Sequence, residues 1–202
     1  MSATASTPAY RVAALRYAER ETTLAHGYHR WASYGEPDGP LGMAYYLWVL
    51  WPVGGEERAS AGGGAGADGA DRGAGGAGVA GAGADGAAAG GPIVVDCGFD
   101  PELGERMGRR CLIAPVDALA RVGVDPAAVR RLVITHLHYD HIGNLDRFGA
   151  ARISVARPEL EFWTRDPVGA RPQFAEHTDP AGLEAIRRAE AEGRVDLVDG
   201  EA

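Results

Sequence analysis

The chain has 202 residues, a length that suggests one domain or at most two. Its 28 acidic and 20 basic residues leave a formal charge of −8, and every basic residue is arginine. Net acidity speaks against a nucleic-acid partner, because phosphate binding needs a basic patch.

Residues 1–10 are small and polar, without the basic start and apolar core of a secretory signal. Residues 10–20 alternate, with Val12, Ala14, Arg16 and Ala18 on one side and Ala13, Leu15 and Tyr17 on the other, which predicts an opening strand. Residues 24–40 are rich in His, Gly, Pro and Asp and read as loop, with His26 and His29 as solvated side chains. Residues 43–53 (MAYYLWVLWPV) are dense in aromatic and β-branched side chains and predict a central or half-buried strand. Residues 41–53, the longest nearly apolar stretch, are too short to span a bilayer, so the expectation is a cytoplasmic protein without membrane contact. A further strand is expected at residues 92–96 (PIVVD).

Between these two strands lie residues 54–91, of which 16 are Gly and 13 are Ala. Such a segment cannot bury enough apolar surface to offset its chain entropy and is expected to be a disordered, low-complexity insert. Only 53 residues precede it, too few for a convincing core, and loop closure costs little more as a loop lengthens. It therefore reads as the expanded tip of a hairpin rather than a linker between domains. Its glycines lack the spacing of a phosphate-binding loop.

Asp96-Cys97-Gly98 closes the second strand, and the two thiols, Cys97 and Cys111, are too few for a disulfide framework and read as packing residues. Residues 115–122 predict an amphipathic helix stopped by Gly123, and Asp125 and Pro126 are the N-cap and first residue of a second, short one. Strands follow at residues 132–134, 151–155 and 194–198. Helices are expected at residues 158–163, with Glu159 and Glu161 near the N-terminus, and at 181–193, with irregular chain over 164–180. Strands alternating with helices indicate an α/β class.

The chemistry is concentrated in Thr135-His136-Leu137-His138-Tyr139-Asp140-His141-Ile142-Gly143-Asn144. If the strand begun at Leu132 runs on to His138, the side chains of His136 and His138 share one side. Asp140 then starts a helix or tight turn and Gly143 permits a sharp backbone path. Imidazole and carboxylate are ligands that zinc and similar divalent ions prefer. Four of them in an H-x-H-x-D-H pattern at a strand end point to a metal site rather than to a polar loop.

At His136, His138, Asp140 and His141 the chain resembles the metallo-β-lactamase superfamily, and it looks most like the N-acyl-homoserine lactonase-type hydrolases. That closer resemblance also rests on residues 10–17 and 45–50, on Val95-Asp96-Cys97-Gly98-Phe99-Asp100 and on Arg171-Pro172-Gln173-Phe174. It implies an αββα sandwich of which residues 1–202 form the N-terminal half, interrupted by the insert. It implies that His136 and His138 hold one zinc and Asp140 and His141 a second, with Asp96 supporting the metal loop from outside the ligand set. A hydroxide shared by the two ions would attack a lactone or ester carbonyl, with Asp140 orienting it. Family members complete both sites with residues further along, and His177 lies too early to be the next of them. The expectation is therefore weak or single zinc occupancy and little activity for these 202 residues. A metal-binding remnant of the superfamily and a glyoxalase II-like thioester hydrolase are the alternatives. A nuclease of the superfamily is disfavoured by the acidic charge and by Tyr139 before Asp140.

Overall fold

A computed structural model describes residues 9–53 and 91–200. The expectation of disorder over residues 54–91 falls almost wholly outside the described residues. The first strand, β1 (Ala9–Thr23), is followed by a one-turn helix α1 (Leu24–Gly27) and a 3-10 turn (Trp31–Tyr34), where the sequence predicted only loop. His26 and His29 are exposed there, as expected. β2 (Pro40–Val53) pairs antiparallel with β1 along its full length. β3 (Ile93–Val95) pairs antiparallel with β2 through Trp48 opposite Val95, Val49 opposite Val94 and Leu50 opposite Ile93. The strands flanking the glycine-rich stretch are therefore direct neighbours, which is the hairpin arrangement and not a link between domains.

The chain then forms α2 (Pro101–Arg106), a two-residue strand β4 (Arg110–Cys111), α3 (Pro115–Arg121) and a 3-10 turn at Pro126–Ala128. Neither α2 nor β4 was foreseen. The Asp100 side chain caps α2 by accepting from Leu103 N, and Asp125 caps the 3-10 turn by accepting from Ala127 N. β5 (Arg131–Ile134), α4 (Tyr139–Ile142), β6 (Arg152–Ala156), α5 (Arg157–Thr164), a one-turn α6 (Pro172–Ala175), α7 (Pro180–Ala191) and β7 (Val195–Val198) complete the described order. Among the described residues no helix is long and apolar enough to cross a membrane.

The seven strands form one mixed sheet in the order β4-β1-β2-β3-β5-β6-β7, with β3, β5, β6 and β7 parallel to one another. Register decides which face is core. Val49, Val94, Leu132 and Ile153 stand in one row across four strands, and all are at most 1% exposed. They join Leu119 of α3, Leu160 of α5 and Ile186 of α7, so these helices contribute to one hydrophobic core with that face. The adjacent row, Trp48, Val95 and Val133, projects to the opposite face because side chains alternate along a strand, and Trp48 is 43% exposed. The described residues thus supply one sheet layer and one helix layer, half of the four-layer arrangement that the family resemblance implied.

One irregularity serves the site. Arg16 pairs with Tyr46 and Ala18 with Tyr45, leaving Tyr17 as the extra residue of a β-bulge. The imperfect alternation read along β1 is interrupted here, and Tyr17 and Ala18 are both buried. The Tyr17 ring packs edge-on against Phe99, and its hydroxyl donates to the Asp140 carbonyl at 3.2 Å.

Gly143 sits where the sequence placed it, for a different reason. Its backbone is in the ordinary right-handed helical region, with φ −66°. A Cβ there would lie 2.6 Å from Asp100 N and 2.8 Å from Phe99 Cα, so the residue is needed for close backbone approach. Gly143→Ala is expected to cost roughly 1–3 kcal/mol by overpacking. A urea unfolding midpoint equal to that of the unsubstituted chain would contradict this.

Candidate metal centre

β3 and β5 run side by side and end together, and the chain leaving their carboxyl ends forms the site, as is general for open parallel sheets. β5 stops at Ile134, so residues 135–138 are not an extension of the strand as the sequence suggested. Their backbone groups lose ladder partners and find others, because buried N–H and C=O groups must be paired. Thr135 N donates to Asp96 Oδ1 at 2.8 Å, and Tyr139 N donates to the His177 carbonyl at 2.9 Å. Cys97 N donates to the His141 carbonyl at 2.8 Å, and Gly143 N to the Gly98 carbonyl at 2.9 Å. Asn144, 7% exposed, donates through Nδ2 to the carbonyls of Cys97 and Phe99, both at 3.0 Å. The loop is held by its neighbours rather than by regular structure of its own.

Helix α4 begins directly after His138, which occupies the N-cap position. Asp140 therefore lies inside the first turn and not at its start, a shift of two residues from the expected place. The turn brings His136, Asp140 and His141 together, with one ligand atom of each lying within 4.8 Å of the others. His138 stands beside this group, its ring centroid 4.5 Å from that of His136, while the rings of His136 and His141 are 3.8 Å apart. His177, half-exposed, is brought to 5.7 Å from the His138 ring although it lies outside the three-residue group.

Asp96 organises this arrangement. It is 5% exposed and has φ +63°, a left-handed conformation that Asp tolerates better than most residues. That turn aims its carboxylate back across the end of β5. Oδ2 accepts from Thr135 Oγ1 at 2.9 Å and lies 2.8 Å from His141 Nδ1. Fixing Nδ1 leaves Nε2 of His141 pointing towards Asp140, 3.5 Å away. A carboxylate behind an imidazole is the usual way a ligating histidine is oriented and its tautomer set.

Charge follows from these contacts. Burial lowers the pKa values of His136 and His138, and the neighbouring His141 and His136 respectively lower them further, so both rings are neutral with a free lone pair at pH 7. Burial also works against a charged His141. The carboxylates of Asp140 and Asp96 outweigh it and push the pKa up to about 9. For Asp140, burial would raise the pKa, but the hydrogen bond and charge of His141 hold the carboxyl below its ordinary value. Two neutral imidazoles, an ionised carboxylate and a third imidazole held by Asp96 are a donor set suited to a divalent ion of the zinc type. Cys97, fully buried with its thiol pKa pushed well up by desolvation, packs behind the loop and is unsuited to ligation.

Sequence reasoning gave no role to Thr135, Asn144, Glu159 or Thr178. Glu159 drew notice only as an acidic residue near a helix start, yet its Oε1 accepts from Leu137 N at 2.8 Å. A partnerless backbone between two candidate ligands was the available signal for such contacts.

The sequence profile described as the metallo-beta-lactamase superfamily matches residues 87–196. A 47-residue stretch is 47% identical to N-acyl homoserine lactonase AttM of Rhizobium johnstonii, covering 23% of this chain and 18% of that protein. The AttM of Agrobacterium fabrum is 45% identical over 47 residues, with the same coverage. Among solved structures, the fold is similar to a quorum-quenching N-acyl homoserine lactone lactonase (TM-score 0.53, 16% identity, 94% of this chain and 57% of that one). It is also similar to AidC, a dizinc quorum-quenching lactonase (TM-score 0.55, 13% identity, 94% and 58%). The chain thus spans under two thirds of the length of the proteins it matches. With more than half of its residues under the family profile and the H-x-H-x-D-H loop at the carboxyl end of β5, the chain belongs to the metallo-beta-lactamase superfamily.

Proposed function

We propose that this chain carries the metal-binding loop of a zinc-dependent hydrolase acting on lactones of the N-acyl homoserine lactone type. The observation that supports the reading is the convergence of His136, Asp140 and His141 beside His138, with two of the imidazoles neutral and His141 oriented by a buried carboxylate. The matches to N-acyl homoserine lactonases in sequence and fold favour the substrate class. In this reading His136 and His138 would hold one zinc, and Asp140 and His141 a second. A zinc ion held there would supply a Lewis acid. The chain's own residues do the positioning. Asp140, kept ionised by His141, orients the attacking group, and Asp96 fixes the His141 ring so that its free nitrogen faces the site. Two unpaired cysteines are consistent with a cytoplasmic location.

The test is hydrolysis by the product of this gene, purified with zinc, against acyl-homoserine lactones and a glutathione thioester, followed by pH-stat. Lactone turnover that vanishes on chelation and returns with zinc is expected. Turnover of the thioester alone would transfer the chain to the thioesterase reading. A zinc-loaded protein that turns over neither would leave a metal-binding protein without this activity.

A further inference from the structure

The residue between the two first histidines, Leu137, has a side chain that is 0% exposed and a backbone with no strand or helix partner. Both of its backbone polar groups are instead taken by side chains from elements far along the chain. Its N–H donates to Glu159 Oε1 of α5 at 2.8 Å. Its carbonyl accepts from Thr178 Oγ1, in the connection between α6 and α7, at 2.8 Å. Trp163, one turn after Glu159, donates through Nε1 to the same Oε1 at 2.7 Å and sets its edge against the His138 ring at 5.5 Å. The carboxylate is thus itself immobilised, and its immobiliser touches one of the candidate ligands.

We propose that Glu159 and Thr178 are positioning residues of the metal loop. By holding the two sides of the Leu137 backbone from different elements, they fix the separation and relative tilt of the His136 and His138 rings. The inference rests on the metal reading above and adds residues outside the H-x-H-x-D-H pattern. The physical reason is that two ligands separated by one residue in irregular chain can swing independently, and a site built on an unheld loop loses the precision that ligation needs. The N–H and C=O of Leu137 belong to the two adjoining peptide planes, so each plane is held at one atom and its rotation is opposed.

Cobalt(II) is the probe, titrated into the chelator-treated full chain and read by its visible absorption and its dissociation constant. Glu159→Ala and Thr178→Val each remove one grip, whereas Glu159→Gln and Thr178→Ser keep the acceptor and the donor. Glu159→Ala and Thr178→Val should raise the dissociation constant ~10–100-fold, the range seen when groups behind metal ligands are removed, and should alter the cobalt spectrum. The Gln and Ser variants should stay close to the unsubstituted chain in both readouts, a rescue that general destabilisation would not produce. If Glu159→Ala fails to fold, Thr178→Val, at a half-buried surface position, decides alone. Cobalt binding by the unsubstituted chain with both disruptive variants indistinguishable from it would overturn this inference and leave the metal reading intact. No cobalt binding by the unsubstituted chain would overturn both.

Discussion

Replacing Asp96 with alanine is expected to cost roughly 3–5 kcal/mol of folding stability, the range for removing one member of a buried charged network. Thr135 N, Thr135 Oγ1 and His141 Nδ1 lose their contact with the carboxylate at once, and only the 3.2 Å contact between Thr135 Oγ1 and His141 Nδ1 remains between those two residues. Thr135 is exposed and can turn to water, whereas an unsatisfied donor on the less exposed His141 carries a desolvation penalty of ~1–3 kcal/mol. Alanine is also a poor occupant of φ +63°, which adds strain. Asp96→Asn separates these contributions. Asparagine tolerates the left-handed conformation, and its amide oxygen can still accept from Thr135. The amide nitrogen then faces His141 as a second donor. That variant should fold with a smaller loss while its zinc affinity falls ~10–100-fold. Urea unfolding of both variants with a parallel zinc titration checks the pair. An Asp96→Ala chain as stable as its parent would show that these hydrogen bonds contribute nothing.

The second large effect is one of pH. The His141 pKa is about 9 in the folded chain against an ordinary 6.5. A raised value means that the folded state binds the proton more tightly than the unfolded one. The resulting stabilisation is fully present below pH 6.5 and is lost as pH rises through 9, an amount of roughly 3 kcal/mol at 1.36 kcal/mol per pKa unit. Asp140 acts in the other direction. Its folded pKa lies below 3.8, so its contribution is present above that value and lost on acidification. Between about pH 4 and 9, chelator-treated protein should therefore lose stability at both ends: towards pH 9 through His141, and below pH 6.5 through His136 and His138, whose lowered pKa values leave the unfolded chain to take up the protons. Zinc-loaded protein should not weaken across the alkaline half of that range, because a ligating imidazole has already given up its proton. Zinc added to weakly buffered chelator-treated protein at pH 7 should release protons for the same reason. Unfolding midpoints that do not change between pH 6.5 and 9 in the chelator-treated protein would show that His141 is not held as described.

The sequence made the scaffold legible wherever the information is local. The β-branched runs at Leu132-Val133-Ile134 and Ile93-Val94-Val95 are strands, the Asp125-Pro126 pair starts a turn of helix, and α7 occupies almost the span that its periodicity predicts. Four ligand-type residues within six positions marked the site without any structure. What sequence could not supply is what distant elements do to local rules. The bulge that turns Tyr17 and Ala18 both inward is set by pairing with β2, not by β1 itself. The reason for Gly143 lies at Asp100 and Phe99, 43 and 44 residues earlier, and only their approach makes a Cβ impossible. Helix α2 was missed because its cap, Asp100, follows a turn that reads as loop. Glu159 and Thr178 look like ordinary surface residues until α5 and the connection between α6 and α7 are placed, and His177 comes near His138 where its carbonyl accepts from Tyr139 N. The family resemblance reached Asp96 by analogy. The contacts that give it a role, to Thr135 and His141, come from the adjacency of β3 and β5.

The loop from His136 to His141 is proposed to bind a divalent metal ion through its own side chains. Elemental analysis of demetallated and zinc-reloaded protein, compared with the His136→Ala/His141→Ala double variant, tests it most directly. Circular dichroism would confirm that both are folded. Zinc retained by the parent chain after desalting and absent from the double variant is the predicted result. Equal zinc content in the two, whether high or nil, would contradict the account.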